Sequence, residues 1–413
     1  MAIVKPFRCI RPEAGAAAHV AALPYDVYNR EEAKKEVERE PLSFLRIDRA
    51  ETNLPDYVDT YDERVYEKAR ELLENMIRNG TFITEETDCF YLYELTMNGR
   101  SQTGIVACSS VDDYVNGVVK KHENTREDKE LDRIRHVDVT NAQTGPIFLA
   151  YRGDKRLKDL ETGVKKEEPL YDFTSPDGVR HRVFKISAPG RIKTITEVFG
   201  EIPHTYIADG HHRAASAVKV ALKRRKENPG YTGKEEFNYF LSVLFPEEEL
   251  KILPYNRGVK DLNGLDKEEF LDKIRENFEL APHEGQGGYE PKEKGRFGLC
   301  LSGSWYELRA KKNIRTADPV EGLDVSLLQT FILAPVLGIA DPRTDKRISF
   351  VGGIRGISEL ERLVKEGDAA AFSMYPTSME ELLSVADAGL LMPPKSTWFE
   401  PKLRSGLFIH KLG

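Results

Sequence analysis

Residues 204–222 read HTYIADGHHRAASAVKVAL. The run Thr205-Tyr206-Ile207 favours a β-strand, because β-branched and aromatic side chains fit a pleated surface. Apolar residues then recur at positions 214, 217, 218, 221 and 222, and this spacing predicts a helix. Asp209-Gly210 lies between the two elements. The stretch therefore predicts a strand, a tight turn with a positive φ at Gly210, and a helix.

The predicted turn has the features of an anion-binding site. The first amides of a helix have no partner within the helix, and with the helix dipole they attract negative charge. His211, His212 and Arg213 add donors suited to phosphate oxygens, and Asp209 is a candidate ligand for a metal ion or a hydroxyl group. An Asp-Gly pair before a helix is also a common capped turn that needs no ligand. Nothing in a turn requires two imidazoles, so the block favours function.

Three motifs together resemble a known superfamily. They are DGHHR at 209–213, KKHENT at 120–125 and GPIFL at 145–149. This pattern is similar to the ParB and sulfiredoxin-like superfamily, and within it to the free serine kinases. From LPYDV at 23–27 to PKST at 394–397, nearly the whole chain resembles domain of unknown function family 1015. The resemblance implies an α+β (mixed α/β) fold, with a ParB/sulfiredoxin-like nucleotide-binding core and large additional α/β segments.

The resemblance also implies roles for individual residues. In the serine kinase pattern, Glu123 is the group expected to activate the acceptor hydroxyl, and His122 is expected to contact the substrate. Asp209 and His211 become catalytic candidates, while Gly210, His211, His212 and Arg213 are expected to hold nucleotide phosphates. Sulfiredoxin-like reduction requires a nucleophilic Cys in the turn, where this chain has His211, so that chemistry is excluded.

Candidate residues also lie outside the central motifs. The match to LPYDV suggests that Asp26 borders the site, although the motif is equally typical of a turn before a helix. Asn256 and Arg257 are predicted to lie just beyond a strand end, where sites of α/β proteins commonly form, with Arg257 as a second phosphate ligand and Asn256 contacting the substrate. Near the C-terminal end of the sequence, four polar residues could close a phosphate pocket, or the segment could be a clasp packed by Trp398 and Phe399: Lys395, Ser396, Thr397 and Lys402.

Composition limits the classes of function. Of the 413 residues, 40% are apolar and 31% are charged, which is typical of a soluble protein with a sizeable core. The net charge of −7 argues against a nucleic-acid partner, since such proteins usually present a basic surface. No stretch approaches the roughly 20 apolar residues that span a bilayer, so no membrane association is expected. Four widely spaced cysteines without a CxxC pair predict buried or free thiols in a reducing cytoplasm.

The length predicts either two packed units or one domain with large insertions. We expect an N-terminal α/β segment at 1–110, a core at 111–260 with a hairpin-like insertion near 170–195, and a C-terminal α/β segment at 261–413. Residues 43–47 are predicted to be a strand, and residues 89–96 and 102–109 a hairpin across Asn98-Gly99. A sheet edge such as 89–96 could pair with a second copy, so a homodimer is one expectation. The charged run 126–135 predicts a mostly solvated helix face.

Phosphoryl transfer is the chemistry that these features favour. It requires charge neutralisation, in-line placement and a base for the acceptor. The residues 210–213 would supply the first, together with Mg²⁺ held by Asp209, and Glu123 is the candidate base. The expected partners are ATP or ADP as phosphate donor and a small hydroxyl-containing acceptor, with free serine as one candidate. The alternative is a ParB-like switch that binds and slowly hydrolyses a nucleotide without any small acceptor.

Overall fold

The computed structural model describes residues 1–125 and 127–413, and these form two compact units. The first unit consists of Met1–Leu250 and Pro401–Gly413, and the second consists of Lys251–Glu400. These boundaries differ from the three segments predicted from the sequence. The predicted boundary at 110 follows directly after a strand that lies in the middle of the first unit's large sheet, so the segment 1–110 is part of that unit.

The strands are short to medium in length and alternate with helices along the chain. In chain order they are β1 Val4–Lys5, β2 Ile10–Pro12, β3 Phe82–Thr84, β4 Phe90–Met97, β5 Arg100–Ser110, β6 Val119–Lys120, β7 Ala142–Gln143, β8 Ile147–Tyr151, β9 Tyr171–Thr174, β10 Arg180–Ile186, β11 Thr205–Asp209, β12 Tyr239–Pro246, β13 Ile252–Leu253, β14 Tyr255–Val259, β15 Phe278–Pro282, β16 Arg296–Leu301, β17 Ser304–Ala310, β18 Ile348–Gly352, β19 Ala370–Met374, β20 Trp398–Phe399 and β21 His410–Lys411.

Three of the helices, which begin at Arg30, Lys267 and Met379, start with a capping box formed by an Asn, Asp or Ser and a Glu three residues later. The helices are α1 Ala17–Val20, α2 Arg30–Arg39, α3 Leu45–Asp48, α4 Glu63–Arg78, α5 Val111–Val115, α6 Glu127–Thr140, α7 Lys155–Val164, α8 Pro189–Phe199, α9 His211–Glu227, α10 Lys267–Asn277, α11 Asp324–Leu328, α12 Gly356–Lys365 and α13 Met379–Asp387.

The first unit is built on a mixed nine-stranded sheet. Its strand order is β6-β11-β8-β12-β5-β4-β10-β9, with β1 paired to β5. The pairs β6/β11 and β8/β12 are parallel, and the others are antiparallel. A mixed α/β fold is therefore confirmed. β6 and β11 lie side by side in the same direction at one end of the sheet, so their carboxyl ends meet at one edge.

Helix α9 packs on this sheet through small side chains. Ala214, Ala217, Val218 and Ala221 are buried in the same apolar cluster as residues of β8, β11 and β12. Small residues at helical spacing let the helix backbone approach the sheet closely. This contact fixes the start of α9 against the end of β11.

The structure confirms the predicted hairpins and overturns two other predictions. β4 and β5 pair across Asn98 and Gly99, which both have positive φ values of 51° and 76°. β9 and β10 form the predicted second hairpin, and β10 also pairs with β4. Since β4 is bonded to β5 and β10 on its two sides, residues 89–96 are not a free edge for a second copy. The predicted strand at 43–47 is wrong, because this segment leads into helix α3.

The second unit contains a six-stranded antiparallel sheet with the order β15-β17-β16-β19-β14-β18. Leu360 of α12 packs in an apolar cluster with Cys300, Val351 and Ala371. A separate pair, β13 and β20, joins Ile252 to Phe399, so the two ends of this unit are adjacent.

Two general features follow from the side chains. All four cysteines, Cys9, Cys89, Cys108 and Cys300, are buried and free. None of the described helices has a stretch that is both long and apolar enough to cross a lipid bilayer.

Candidate active site at the ends of two parallel strands

The turn between β11 and α9 has the predicted geometry. β11 ends at Asp209, Gly210 has a φ of 95°, and α9 begins at His211. Gly210 occupies the N-cap position, where most helices have a side chain that accepts a hydrogen bond from the first amides. Glycine has no side chain, so it leaves this acceptor position open to another group. The predicted strand, turn and helix are confirmed.

His122 and Glu123 lie beside this turn because β6 and β11 are parallel neighbours. The register pairs Val119 with Thr205, and the chain continues past the end of β6 to His122 just as it continues past β11 to His211. The rings of His122 and His211 meet edge to face, with 4.5 Å between their centroids. One potential ligand atom from each of His122, Glu123 and His211 lies within 4.8 Å of the others. Two of the sequence motifs are therefore brought together in one site.

Burial depresses the basicity of both imidazoles. Burial lowers the pKa of His122 to about 4, although the Asp209 carboxylate and the backbone of Ile207 act in the opposite direction. The pKa of His211 is also held well below its usual range, mainly by burial and secondly by the neighbouring His122. Both rings are therefore neutral at neutral pH. Each can bind a metal ion or accept a proton, but neither adds a positive charge to the site.

Asp209 is held as a carboxylate by two cations. Lys402 Nζ donates to Asp209 Oδ2 at 3.0 Å, and the two side chains are 15% and 33% exposed. Burial raises the pKa of Asp209, but the charges of Lys402 and Arg213 outweigh this effect and hold the pKa well below its usual range. From the sequence, Lys402 could help to close a phosphate pocket and Asp209 is a candidate metal ligand, but the ion pair between them is not predicted.

Arg213 lies against two glycines. Its Nη1 donates to the carbonyl oxygen of Pro146 at 2.7 Å. A Cβ atom added to Gly210 would lie 3.1 Å from the guanidinium nitrogens, and one added to Gly145 would lie 3.4 Å from Nη1. Both glycines therefore make room for the guanidinium, which connects the GPIFL motif to the turn. His212, the second residue of α9, is half-buried.

A polar cavity of about 200 Å³ lies in the same unit. Tyr25, Arg133 and His136 line both this cavity and a smaller adjoining one that Arg213 also lines. The Arg133 guanidinium stacks on the Tyr25 ring, 3.9 Å from its centroid, and forms an ion pair with Asp132 at 2.8 Å. The cavity therefore combines positive, negative and aromatic groups, which suits a small polar or zwitterionic molecule.

This cavity is not predicted from the sequence, because part of its charged lining lies in a run that is typical of a solvated helix face. In the run 126–135, Arg126 lies outside the described residues. Glu127, Asp128 and Arg135 are exposed as predicted, but Glu130, Asp132 and Arg133 are buried. Glu130 and Arg133 lie about one helical turn apart, whereas Asp132 projects from another side of the helix, so the spacing of the charges does not reveal which of them are buried.

The other predicted residues lie elsewhere. Asp26 is exposed in a 3₁₀ turn, Tyr25–Val27, and its neighbour Tyr25 lines the cavity instead. Asn256 and Arg257 belong to the second unit and lie within strand β14, not beyond a strand end. Asn256 Oδ1 accepts a hydrogen bond from the Met374 amide at 2.9 Å, so it ties two strands together.

Lys395 also belongs to the second unit. Its carbonyl oxygen accepts a hydrogen bond from Arg257 Nη2 at 3.0 Å, and its Nζ lies 5.6 Å from the centroid of the Tyr255 ring. Burial lowers the pKa of Arg257 to about 10. The phosphate-binding role of Arg257 and Lys395 stays a prediction.

Comparison with solved structures finds chains that share only a distant likeness. A conserved hypothetical protein from Pyrococcus furiosus has 15% sequence identity and a TM-score of 0.36, and the match covers 74% of this chain and 94% of that one. A free serine kinase in complex with AMP has 14% identity and a TM-score of 0.35, covering 73% of this chain and 91% of that one. SbnI from Staphylococcus aureus, with a C-terminal truncation, has 11% identity and a TM-score of 0.37, covering 73% and 85%.

No curated protein sequence matches this chain. A family model, by contrast, matches residues 4–326, which include the KKHENT, GPIFL and DGHHR motifs and the strands that carry them. The chain therefore belongs to the family described as Protein of unknown function (DUF1015).

Proposed function

We propose that this protein transfers a phosphoryl group from ATP or ADP to a small hydroxyl-containing metabolite, with free L-serine as the first candidate acceptor. One observation carries the proposal: Glu123 lies beside the start of α9, with a carboxylate oxygen within 4.8 Å of a ring nitrogen of His211. A base for an acceptor hydroxyl therefore adjoins a helix N-terminus that is suited to bind phosphate.

The start of α9 is the proposed phosphate site. The first amides of the helix and the Arg213 guanidinium, which lies against Gly210, supply donors. Mg²⁺ would arrive with the nucleotide and reduce the charge on its phosphates. Asp209 is the proposed ligand from the protein, and it would share its carboxylate with Lys402, which lies 3.0 Å away. This pair keeps Asp209 ionised, as a metal ligand requires.

Glu123 is proposed to act as the general base. The acceptor oxygen forms a bond to the terminal phosphorus of the nucleotide while the bond from this phosphorus to the bridging oxygen breaks. The hydroxyl proton passes to the Glu123 carboxylate, and the electron pair of the broken bond stays on the nucleotide product. The polar cavity beside Tyr25 and Arg133 is the candidate place for the rest of the acceptor, because an amino acid needs both a cation and an anion as partners.

Phosphorus NMR tests the proposal directly. The protein is incubated with Mg²⁺, with ATP or ADP, and with a pool of amino acids that includes serine. We expect a new phosphomonoester signal, and we expect Glu123→Gln to lower its rate of appearance by about 10²- to 10⁴-fold, the usual contribution of a general base. Glu127→Gln is the matched control, because Glu127 is an exposed residue on α6 four positions later, and its rate should equal that of the unchanged protein.

Two outcomes would contradict the proposal. Nucleotide hydrolysis without any phosphomonoester, at a rate insensitive to Glu123→Gln, would favour the nucleotide switch. Equal loss of transfer in both glutamate variants would show that the carboxylate of Glu123 has no special role.

A further inference from the structure

His122 is a buried histidine whose ring makes no hydrogen bond of good geometry within the described part of the chain. Its side chain is almost completely enclosed, at 2% exposure, and both ring nitrogens lack a hydrogen-bond partner there. His211, at 6% exposure, has the same deficit at Nε2. A buried polar atom without a partner is destabilising, so such atoms need an explanation.

The other buried histidines of the first unit behave differently. His181 contacts Tyr93 Oη at 2.8 Å and Ser175 Oγ at 3.0 Å. His410 contacts Gln143 Oε1 at 3.1 Å and Glu236 Oε2 at 2.7 Å, and His136 contacts the carbonyl oxygen of Ile47 at 3.2 Å. The fold therefore supplies partners to these three buried imidazoles. Among the described residues, three ring nitrogens of His122 and His211 lack a partner, and these two rings face each other, whereas the half-buried His204 lacks a partner at Nδ1 alone.

Glu123 completes a set of three ligands. One atom from each of His122, Glu123 and His211 lies within 4.8 Å of the other two. A metal ion bonded to imidazole nitrogen and carboxylate oxygen at about 2.0–2.2 Å needs ligand atoms somewhat over 3 Å apart, so small side-chain rotations would close the site.

We propose that His122, Glu123 and His211 together bind one divalent first-row transition metal ion, of the class of Zn²⁺, Co²⁺ or Mn²⁺. Two imidazoles and one carboxylate are the ligands that such ions prefer, whereas Mg²⁺ prefers an all-oxygen site. Three protein ligands leave coordination positions free for water or for an oxygen of a bound molecule. The site is distinct from the Mg²⁺ site proposed at Asp209.

The inference goes beyond the proposed phosphoryl transfer and does not depend on it. A metal ion on Glu123 would occupy the carboxylate that the proposed reaction uses as a base. Bound transition metal and phosphoryl transfer would therefore exclude each other at this residue. Metal binding can be measured without nucleotide or acceptor, so failure of one proposal leaves the other intact.

Cobalt titration of the full chain tests the inference. The protein is first treated with a chelator and dialysed, and Co²⁺ is then added while its visible absorption is recorded. We expect saturation at one Co²⁺ per chain, displacement by Zn²⁺, and no competition from a large excess of Mg²⁺. His122→Gln, Glu123→Gln and His211→Gln should each weaken binding more than about 10-fold, as expected for the loss of a ligand.

The matched control is His212→Gln, which changes a histidine next to the site that lies outside the three-residue cluster. Its affinity for Co²⁺ should equal that of the unchanged protein, and circular dichroism should show that every variant is folded. Glu123 is half-buried, so its variant should fold even if a buried histidine variant does not. Failure of the folded, unchanged protein to bind Co²⁺ at one per chain would overturn the inference. So would undiminished binding by Glu123→Gln.

Discussion

The backbone conformation of Gly210 forms the turn that joins β11 to α9 in the candidate site. Its φ of 95° is unfavourable for any side chain, and a Cβ atom there would lie 3.1 Å from Arg213. We expect Gly210→Ala to lower the free energy of unfolding by about 1–2 kcal/mol, the cost of a left-handed backbone for an L-residue, and to weaken nucleotide binding. Urea denaturation and a nucleotide titration would measure the two effects.

The control for this change is Gly163→Ala. Gly163 lies in helix α7 with a negative φ, and a Cβ atom added there would have no heavy atom within 4 Å, so alanine should stabilise the protein by about 0.5–1 kcal/mol. If both substitutions changed the stability equally, the positive φ would not be the cause of the effect at Gly210.

At the scale of single residues, the sequence predicted which residue types form the site better than it predicted which residues contact each other. The unusual density of Asp, Gly, His and Arg at 209–213 was visible in the sequence, and the positive φ of Gly210 followed from the turn. The ion pair of Asp209 with Lys402 could not be predicted, because the two residues are 193 positions apart. The lack of hydrogen-bond partners for the buried His122 ring within the described chain could not be predicted either, because the burial of a ring depends on the whole fold.

Asp324, the first residue of helix α11 in the second unit, makes the stability of the protein depend on pH. Both oxygens of its carboxylate accept a hydrogen bond from the Gly295 amide at 2.9 Å, and burial raises its pKa to about 7. The native state then binds a proton more tightly than the unfolded chain, whose Asp has a pKa near 4. The stabilisation is complete below about pH 4 and is lost as the pH rises through 7.

We therefore expect Asp324→Asn to change how stability depends on pH. Between pH 5 and pH 8 the unchanged protein should lose up to about 3 kcal/mol of stability through this group, which is most of the about 4 kcal/mol that a shift of three pKa units represents over the whole pH range. The variant should lack that loss. Urea unfolding of both proteins at pH 5 and pH 8 measures the difference, and parallel pH profiles would contradict the prediction.

At the scale of elements, strong local signals were predicted well. The hairpin across Asn98-Gly99 was confirmed because the turn residues specify the conformation by themselves. The prediction of a strand at 43–47 was wrong, because the apolar residues Phe44, Leu45 and Ile47 can be buried in a helix as well as in a strand. They are buried in a helical cluster with residues of α4, and this tertiary packing overrides their preference for strands.

For the whole molecule, the sequence left open two packed units or one domain with large insertions, and it did not indicate how the chain is divided. The second unit is inserted into the first between Leu250 and Pro401. Its ends are adjacent because Ile252 pairs with Phe399, an antiparallel contact in which Cα atoms lie about 4.5–5.5 Å apart. The contacts that define these boundaries join residues far apart in the sequence, so the three-dimensional structure reveals them.

This arrangement predicts that the first unit can fold without the second. We expect a chain in which residues 251–400 are replaced by a short Gly-Ser linker to unfold cooperatively in urea and to keep its near-ultraviolet circular dichroism. A chain ending at Leu250 is the control, and it should be much less stable because it lacks β21 and Lys402. Loss of cooperative unfolding in the linker variant would contradict the prediction.

The return of the chain to the first unit also sets an order of events on the ribosome. Residues 401–413 make three contacts with the rest of the first unit. Lys402 forms an ion pair with Asp209, β21 pairs with β7, and Ile409 forms two backbone hydrogen bonds with Ile10. All of these residues are synthesised after the second unit. The nascent first unit is therefore incomplete until residues 251–400 have been synthesised, and the cation that keeps Asp209 charged becomes available only after them.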